Sequence, residues 1–363
     1  MAARGGPVLC VSYLALAELW SVPHFPSANH GAAVEGVEYS IAADAPMTAA
    51  ALSALDVPTL LIANEIGVDS RGRQARRWLS ARDINVPETD DADVVTPWIV
   101  VVADDDHTRT WFAHLLGVAE SLECADLAPI ASASFVYVDC YELIEQAALR
   151  VIAAGRAAEV PMLLNLGGSG LSPAVASAVR GCSGLVVQTN VDDAAHAEAP
   201  EVAKSLLVRT GASWVVVTAG AFGAVAVSRS ELVSVPAFPV TVRHTHCAGA
   251  AFSAGLLYGL RAGWPMHRGM LLGSASGALR CARHQSSPLP SLAELETALT
   301  GVPEELGYRK SWGALLTRVQ ALPCRVGKGQ FGLDLELSGD GSKLVPPAPF
   351  RVTIVHGHLR PHH

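Results

Sequence analysis

The chain has 363 residues, with 26 Lys and Arg against 34 Asp and Glu for a net charge of −8, and half of its residues are apolar. That is ample material for a packed core and excludes a disordered chain, while the acidic balance excludes nucleic acid as the main partner, because phosphate affinity needs clustered Lys and Arg. At this length one large α/β domain with appendages, or two domains, is expected, since single cores seldom grow beyond about 250 to 300 residues.

The apolar run from Pro7 ends in Ala15-Leu16-Ala17 and imitates a secretory leader; the preferred reading is a buried first strand, Val8–Val11. Beyond it, short β-branched runs alternate with Ala/Leu-rich stretches. Strands are predicted at Thr59–Ala63, Phe135–Val138, Met162–Asn165, Gly184–Gln188 and Trp214–Thr218. Helices are predicted at Met47–Leu55, Arg71–Ala81, Tyr141–Ala154, Ser172–Val179, Ala194–Thr210 and Ala250–Ala262. The alternation predicts a three-layer, doubly wound, mostly parallel α/β sheet over residues 7–300. Arg71–Arg77, with four arginines, reads as the solvated face of its helix.

Two segments break the pattern. Trp98–Ala103, an acidic turn at Asp104–Asp106 and Thr108–Phe112 read as a hairpin. With Glu35–Ile41 it predicts a small β-sheet lid built from residues around 12–41 and 96–113. From Gly301 the texture changes, and residues 301–363 read as an extension with strands at Phe331–Leu337 and Phe350–Leu359. The closing His-rich stretch reads as a frayed terminus.

The seven cysteines form no CxxC pair and no His/Cys metal spacing, so a reduced, cytoplasmic setting and no metal site are expected. No run reaches the roughly 18 apolar residues of a membrane span, so no membrane partner is expected.

The residues that carry chemistry follow the last parallel strand. Thr218-Ala219-Gly220-Ala221-Phe222-Gly223 is succeeded by His244-Thr245-His246-Cys247-Ala248-Gly249-Ala250-Ala251-Phe252, which opens a helix. Small residues ahead of a helix start leave backbone N–H groups and a dipole that favour an anion. His244, His246 and Cys247 invite a Cys–His nucleophile, but in an extended strand 244 and 246 share one face and 247 the other, so lining roles are preferred. Asp139–Glu142 lies at a strand's carboxyl end, where α/β proteins place ligand contacts.

In this order the motifs resemble the PfkB/ribokinase family of sugar and nucleoside kinases, over roughly residues 7–300. Thr218-x-Gly220-x-x-Gly223 matches the family's T-x-G-x-x-G nucleotide loop. Asn190-Val191-Asp192-Asp193 resembles its N-x-x-E element, with Asp193 for Glu, and Asn64–Gly72 resembles its G-x-D-x-x-G segment. The resemblance implies nucleotide and anion contacts at Asn190, Asp193, Thr218, Gly220, Gly223, Ala248 and Gly249, and a lid-mediated homodimer. It implies a substrate pocket near Ala17, Ala43, Asp44, Met47 and Trp111.

The departures fall at the chemistry. The family's D-T-x-G-A-G-D-A-F reads here as His244 to Phe252, which places Ala250 at the position of the catalytic base, His244 at the first Asp and Cys247 at the first Gly. The sugar-binding G-G-x-x-A-N aligns with Ala42–Met47. The expectation is a small-molecule-binding protein or repurposed enzyme, its ligand sugar-like or nucleoside-like, with ATP and Mg2+ binding weak or lost and little phosphotransfer. The alternative is an active kinase that uses His246, His244 or Asp44 as base.

Overall fold

The computed structural model describes residues 6–86, 91, 93–105, 108–300 and 354–356. The first half supplies β1 (Val8–Val11), β2 (Ala15–Ser21), β3 (Gly36–Ala42), α1 (Asp44–Ala54), β4 (Thr59–Ile62), α2 (Ser70–Ser80), β5 (Trp98–Ala103), β6 (Arg109–His114), α3 (Val118–Glu123), β7 (Phe135–Asp139), α4 (Glu145–Ala157) and β8 (Met162–Asn165). The second half supplies α5 (Pro173–Ala178), β9 (Val186–Asn190), α6 (Ala199–Thr210), β10 (Trp214–Thr218), β11 (Ala224–Val227), β12 (Glu231–Val235), α7 (Ala248–Arg261), α8 (Met266–Cys281), α9 (Leu292–Leu299) and β13 (Ile354–His356).

The main sheet runs β13-β12-β11-β10-β9-β8-β7-β1-β4, parallel from β10 to β4 and antiparallel from β10 to β13. Alternation along its strands divides the core. Val8, Cys10, Phe135 and Tyr137 face α1, α7 and α8, and Leu9, Val11, Val136 and Val138 face α4, α5 and α6. The lid is a separate sheet in the order β3-β2-β5-β6, and the G-x-D-x-x-G segment ties it down. Asp69 caps α2 by accepting from Gly72 N at 2.8 Å and also accepts from Thr96 N at 2.9 Å, just ahead of β5. Burial works against the Asp69 carboxylate, but these backbone donors hold its pKa below the ordinary range.

Several boundaries differ from those predicted. The helix expected from Met47 begins at Asp44, because Asp139 receives its first N–H groups and Pro46 is tolerated in a first turn. The strand expected at Gly184–Gln188 lies at Val186–Asn190. Asp193–Glu198 is a 3-10 turn, and α6 starts only at Ala199, with a proline in its first turn. The arginines of α2 are not simply solvated: Arg71 pairs with Glu18 at 3.3 Å and Arg76 donates to Gly67 O and Ile66 O. The strand expected at Phe331–Leu337 and the His-rich end from 357 lie outside the described residues; within Phe350–Leu359, β13 joins the sheet edge. Among the described residues no helix is long and apolar enough to cross a membrane.

Helices α7 and α8 approach closely because their facing residues are small. A Cβ on Gly255 would lie 2.6 Å from Gly273 N, and one on Gly259 would lie 2.6 Å from Gly269 Cα. This antiparallel contact brings the start of α7 level with the end of α8.

Candidate active site

Two helix N-termini define the site, those of α1 and α7, both at the carboxyl edge of the parallel strands. Asp139, at the end of β7 and fully buried, accepts from Asp44 N at 3.1 Å and Ala45 N at 2.9 Å. Its charge therefore sits on the positive end of α1. Asn165, at the end of β8, gives one amide hydrogen to Asp139 Oδ1 and one to Asp44 Oδ2, both at 2.8 Å. Tyr141 Oη donates to Asp44 Oδ2 at 2.7 Å. Burial, then the neighbouring Asp44 carboxylate, pushes the Asp139 carboxyl up to about 7. The same surroundings raise the phenols of Tyr13 and Tyr141.

On the α7 side, His246 Nε2 donates to Ile41 O at 2.9 Å and lies 3.2 Å from Cys247 Sγ. This departs from the expected opposite faces. Cys247 has φ of 60°, so the chain turns there and swings the thiol back towards the imidazole. Burial and then Asp44 hold the Cys247 thiol far above its ordinary pKa, and burial pushes His246 down to about 3, both opposite in direction to the shifts of a thiolate–imidazolium pair. His244 turns to Arg283 O, with Nε2 at 2.5 Å, and burial followed by Arg280 lowers it to about 4. Ala250 is the third residue of α7 and fully buried, and Thr48 Oγ1 donates to its carbonyl at 3.1 Å.

The nucleotide-loop residues converge at the far end of β9 and β10, where Thr218 pairs in register with Asn190. Gly220 has φ of 49° and lies so close to Asp193 that a Cβ would stand 2.0 Å from its Oδ1. Gly223 has φ of 89°, and a Cβ there would stand 2.1 Å from Val235 O. Both positions need glycine. Phe222 stacks on His196 with centroids 3.7 Å apart. Among the described residues no three His, Cys, Asp or Glu side chains come together as a metal-ligand group.

Of the residues expected in the substrate pocket, Ala43 and Asp44 lie at the start of α1. Ala43 holds φ of 72°, the left-handed region natural to glycine. Ala17 and Met47 are closed within apolar clusters, and Trp111 stands on the lid's edge strand, 63% exposed. Ala17 and Glu18, consecutive on β2, take opposite faces of it. Sequence reasoning missed Asn165 and Thr48, while Tyr141 lies within the Asp139–Glu142 segment it singled out. The end of a parallel strand is the signal that would have found Asn165, as it found Asp139.

A ribokinase-like α/β fold with a four-stranded lid and a site at the carboxyl edge defines a sugar-kinase class of architecture. The structure superposes on ribokinase from Thermotoga maritima with a TM-score of 0.67 and 15% identity, covering 82% of this chain and all of that one. It superposes on Arabidopsis thaliana ribokinase, whose structure holds ribose and ATP, with a TM-score of 0.64 and 14% identity over 82% of this chain and 99% of that one. The model of the pfkB family carbohydrate kinases matches residues 32–292, and the chain belongs to that family. A 5-dehydro-2-deoxygluconokinase from Geobacillus thermodenitrificans is 32% identical over 84 residues, which are 23% of this chain and 25% of that protein. The chain thus matches about a quarter of that relative's length.

Proposed function

We propose that this protein binds a sugar-like or nucleoside-like small molecule between lid and sheet, with little or no ATP-dependent phosphotransfer. The observation that carries the reading is Ala250, a buried methyl at the position where the family keeps the carboxylate that deprotonates the substrate hydroxyl. General-base help contributes about 10² to 10⁴ in rate. The two nearby histidines do not replace it, because each gives Nε2 to a backbone carbonyl and titrates far below neutrality.

The nucleotide loop itself fits a nucleotide. Its glycines turn the backbone tightly against Asp193 and Val235, and Asn190, Thr218 and Asp193 stand beside it; ATP with Mg2+ would be held there weakly and would supply the transferable phosphoryl group. The chain's own residues would orient a ligand by accepting hydrogen bonds from its hydroxyls at Asp44, which buried Asp139 and Asn165 hold in place. A cytoplasmic homodimer joined through the lid, whose Trp111 and Phe112 are exposed, completes the proposal, as does a C-terminal extension after residue 300, whose strand β13 pairs with β12.

One observation favours a second reading, that of an active kinase. Asp44 lies one helical turn from Thr48, which bonds Ala250 O, and so is the carboxylate such a kinase would use. A coupled ADP-release assay over a panel of sugars and nucleosides separates the two. Wild type is expected to stay at background. Turnover rivalling that of an intact family member, abolished by Asp44→Asn, overturns the first reading.

A further inference from the structure

Arg280, at the end of α8, is 1% exposed. Its Nη2 donates to Gln285 Oε1, while Nε and Nη1 have no partner. A buried guanidinium edge without acceptors is costly, more so than an unpaired neutral donor, and so calls for an anion or a polar occupant. Its location is set by backbone contacts. A Cβ on Gly277, one turn earlier, would lie 3.1 Å from Ala248 O, and Cys281 O accepts from Arg243 N at 2.9 Å and His244 N at 3.3 Å. Arg280 therefore stands level with the 244–247 turn that opens α7, a 14-residue helix.

A second cation reaches that turn from the lid: Arg109 Nη1 is 3.5 Å from both Thr245 O and Thr245 Oγ1. Arg82 lies behind, donating to Gln285 O and Ser287 O. The facing acids are Glu38, which accepts from Gln285 N at 2.8 Å and lies 3.5 Å from His284 Nδ1, and Asp44, which is bonded to Tyr141 and Asn165. Arg283 is paired with Glu294. The turn is thus positive on the side that Arg280 and Arg109 line.

We infer that Arg280 and Arg109, with the first turn of α7, bind an oxyanion carried by the ligand itself, so that the pocket takes an acidic small molecule, a phosphomonoester or carboxylate, in preference to a neutral polyol. The inference deepens the small-molecule-binding reading above and rests on it. It also gives the methyl at 250 a purpose, since a carboxylate there would repel a permanently bound anion.

The test uses the full chain at pH 7.5 and constant ionic strength. Thermal unfolding is followed in inorganic phosphate against chloride, and titration calorimetry compares ribose 5-phosphate and gluconate with ribose; ATP without metal is a separate arm. Phosphate is expected to raise the melting temperature where chloride does not, because a ligand of the native state shifts unfolding. One of the two acids is expected to bind at least about tenfold tighter than ribose, as a charge-assisted contact implies. Which acid wins separates phosphate from carboxylate.

Arg280→Met is expected to abolish that preference and leave ATP binding unchanged. Arg109→Gln, at an exposed position, is expected to weaken the acid several-fold and decides the matter if Arg280→Met does not fold. Equal effects of phosphate and chloride, equal binding of acid and neutral sugar, or an acid preference that survives Arg109→Gln and any folded Arg280→Met overturns the inference. None of those results restores kinase turnover, so the binding-protein reading stands or falls separately by ADP release.

Discussion

Around the nucleotide loop, Thr218, Gly220 and Gly223 keep the family pattern, and both glycines adopt conformations that no other residue takes without strain. At the opposite side of the site, Ala43 and Cys247 stand where the family has glycines, yet they hold φ of 72° and 60°. The backbone turns persist on both sides, while the side chains depart from the family pattern conservatively on the nucleotide side, with Asp193 for Glu, and more sharply around α1 and α7. The difference teaches that helix-opening turns are held by packing around them, here the α1–Asp139 and α7–α8 contacts. The side chains those turns present are not fixed by that packing.

The largest break in this comparison is expected at Gly223. Gly223→Ala sets a Cβ against the Val235 carbonyl at a strained φ, and should cost about 3 kcal/mol or more, read as a fall in the urea midpoint. An unchanged midpoint would mean that the loop adapts freely. Next comes Asn165→Ala on the more changed side. It leaves buried Asp139 and half-buried Asp44 without their shared donor and should cost about 2 to 4 kcal/mol; a loss below about 0.5 kcal/mol, the range of surface substitutions, would show the pair is not bound as described.

The pH dependence sharpens the contrast further. Folded His244 and His246 refuse protons that the unfolded chain takes near 6.5, so stability rises with pH from about 3 or 4 up to 6.5 and is complete above it. Asp139 acts in the opposite sense. Its folded carboxyl titrates near 7 and its unfolded one near 3.8, so its contribution is full below 3.8 and fades as pH rises towards 7. Two histidines outweigh one acid, and the maximum should fall at about pH 6 to 6.5. His246→Gln should remove roughly half of the histidine contribution on the acid side, seen in urea midpoints across pH 4 to 8; an unchanged slope would show that His246 is not held neutral.

Smaller still, Ala43→Gly should stabilise by about 1 kcal/mol, because glycine relieves a positive φ. Destabilisation would place the strain elsewhere. Glu18→Gln should change stability by less than about 1 kcal/mol, as for other part-exposed ion pairs. A larger loss would make the Arg71 contact a fixed tie between lid and α2.

Much of this was readable from the chain. The parallel strands announced themselves as β-branched runs, the lid hairpin by its acidic turn, and the family by motifs in order. Arg280 and Arg109 gave no such signal, and Asn165 only that of closing a parallel strand. Each is an isolated polar residue in unrelated local sequence, and only the meeting of β7, β8, the lid and the end of α8 gives it a partner. The expected faces of His246 and Cys247 failed for a related reason: an extended backbone was assumed where the chain takes a left-handed turn.

By itself the sequence determined the layer architecture and the presence of a methyl group at position 250, because hydrophobic periodicity and residue identity are local properties. Tertiary structure alone decided that two carboxylates share one amide at the start of α1 and that a guanidinium is buried beside the α7 turn. Burial and proximity arise only when segments distant in the chain pack together, as far apart as the 121 residues between Asp44 and Asn165.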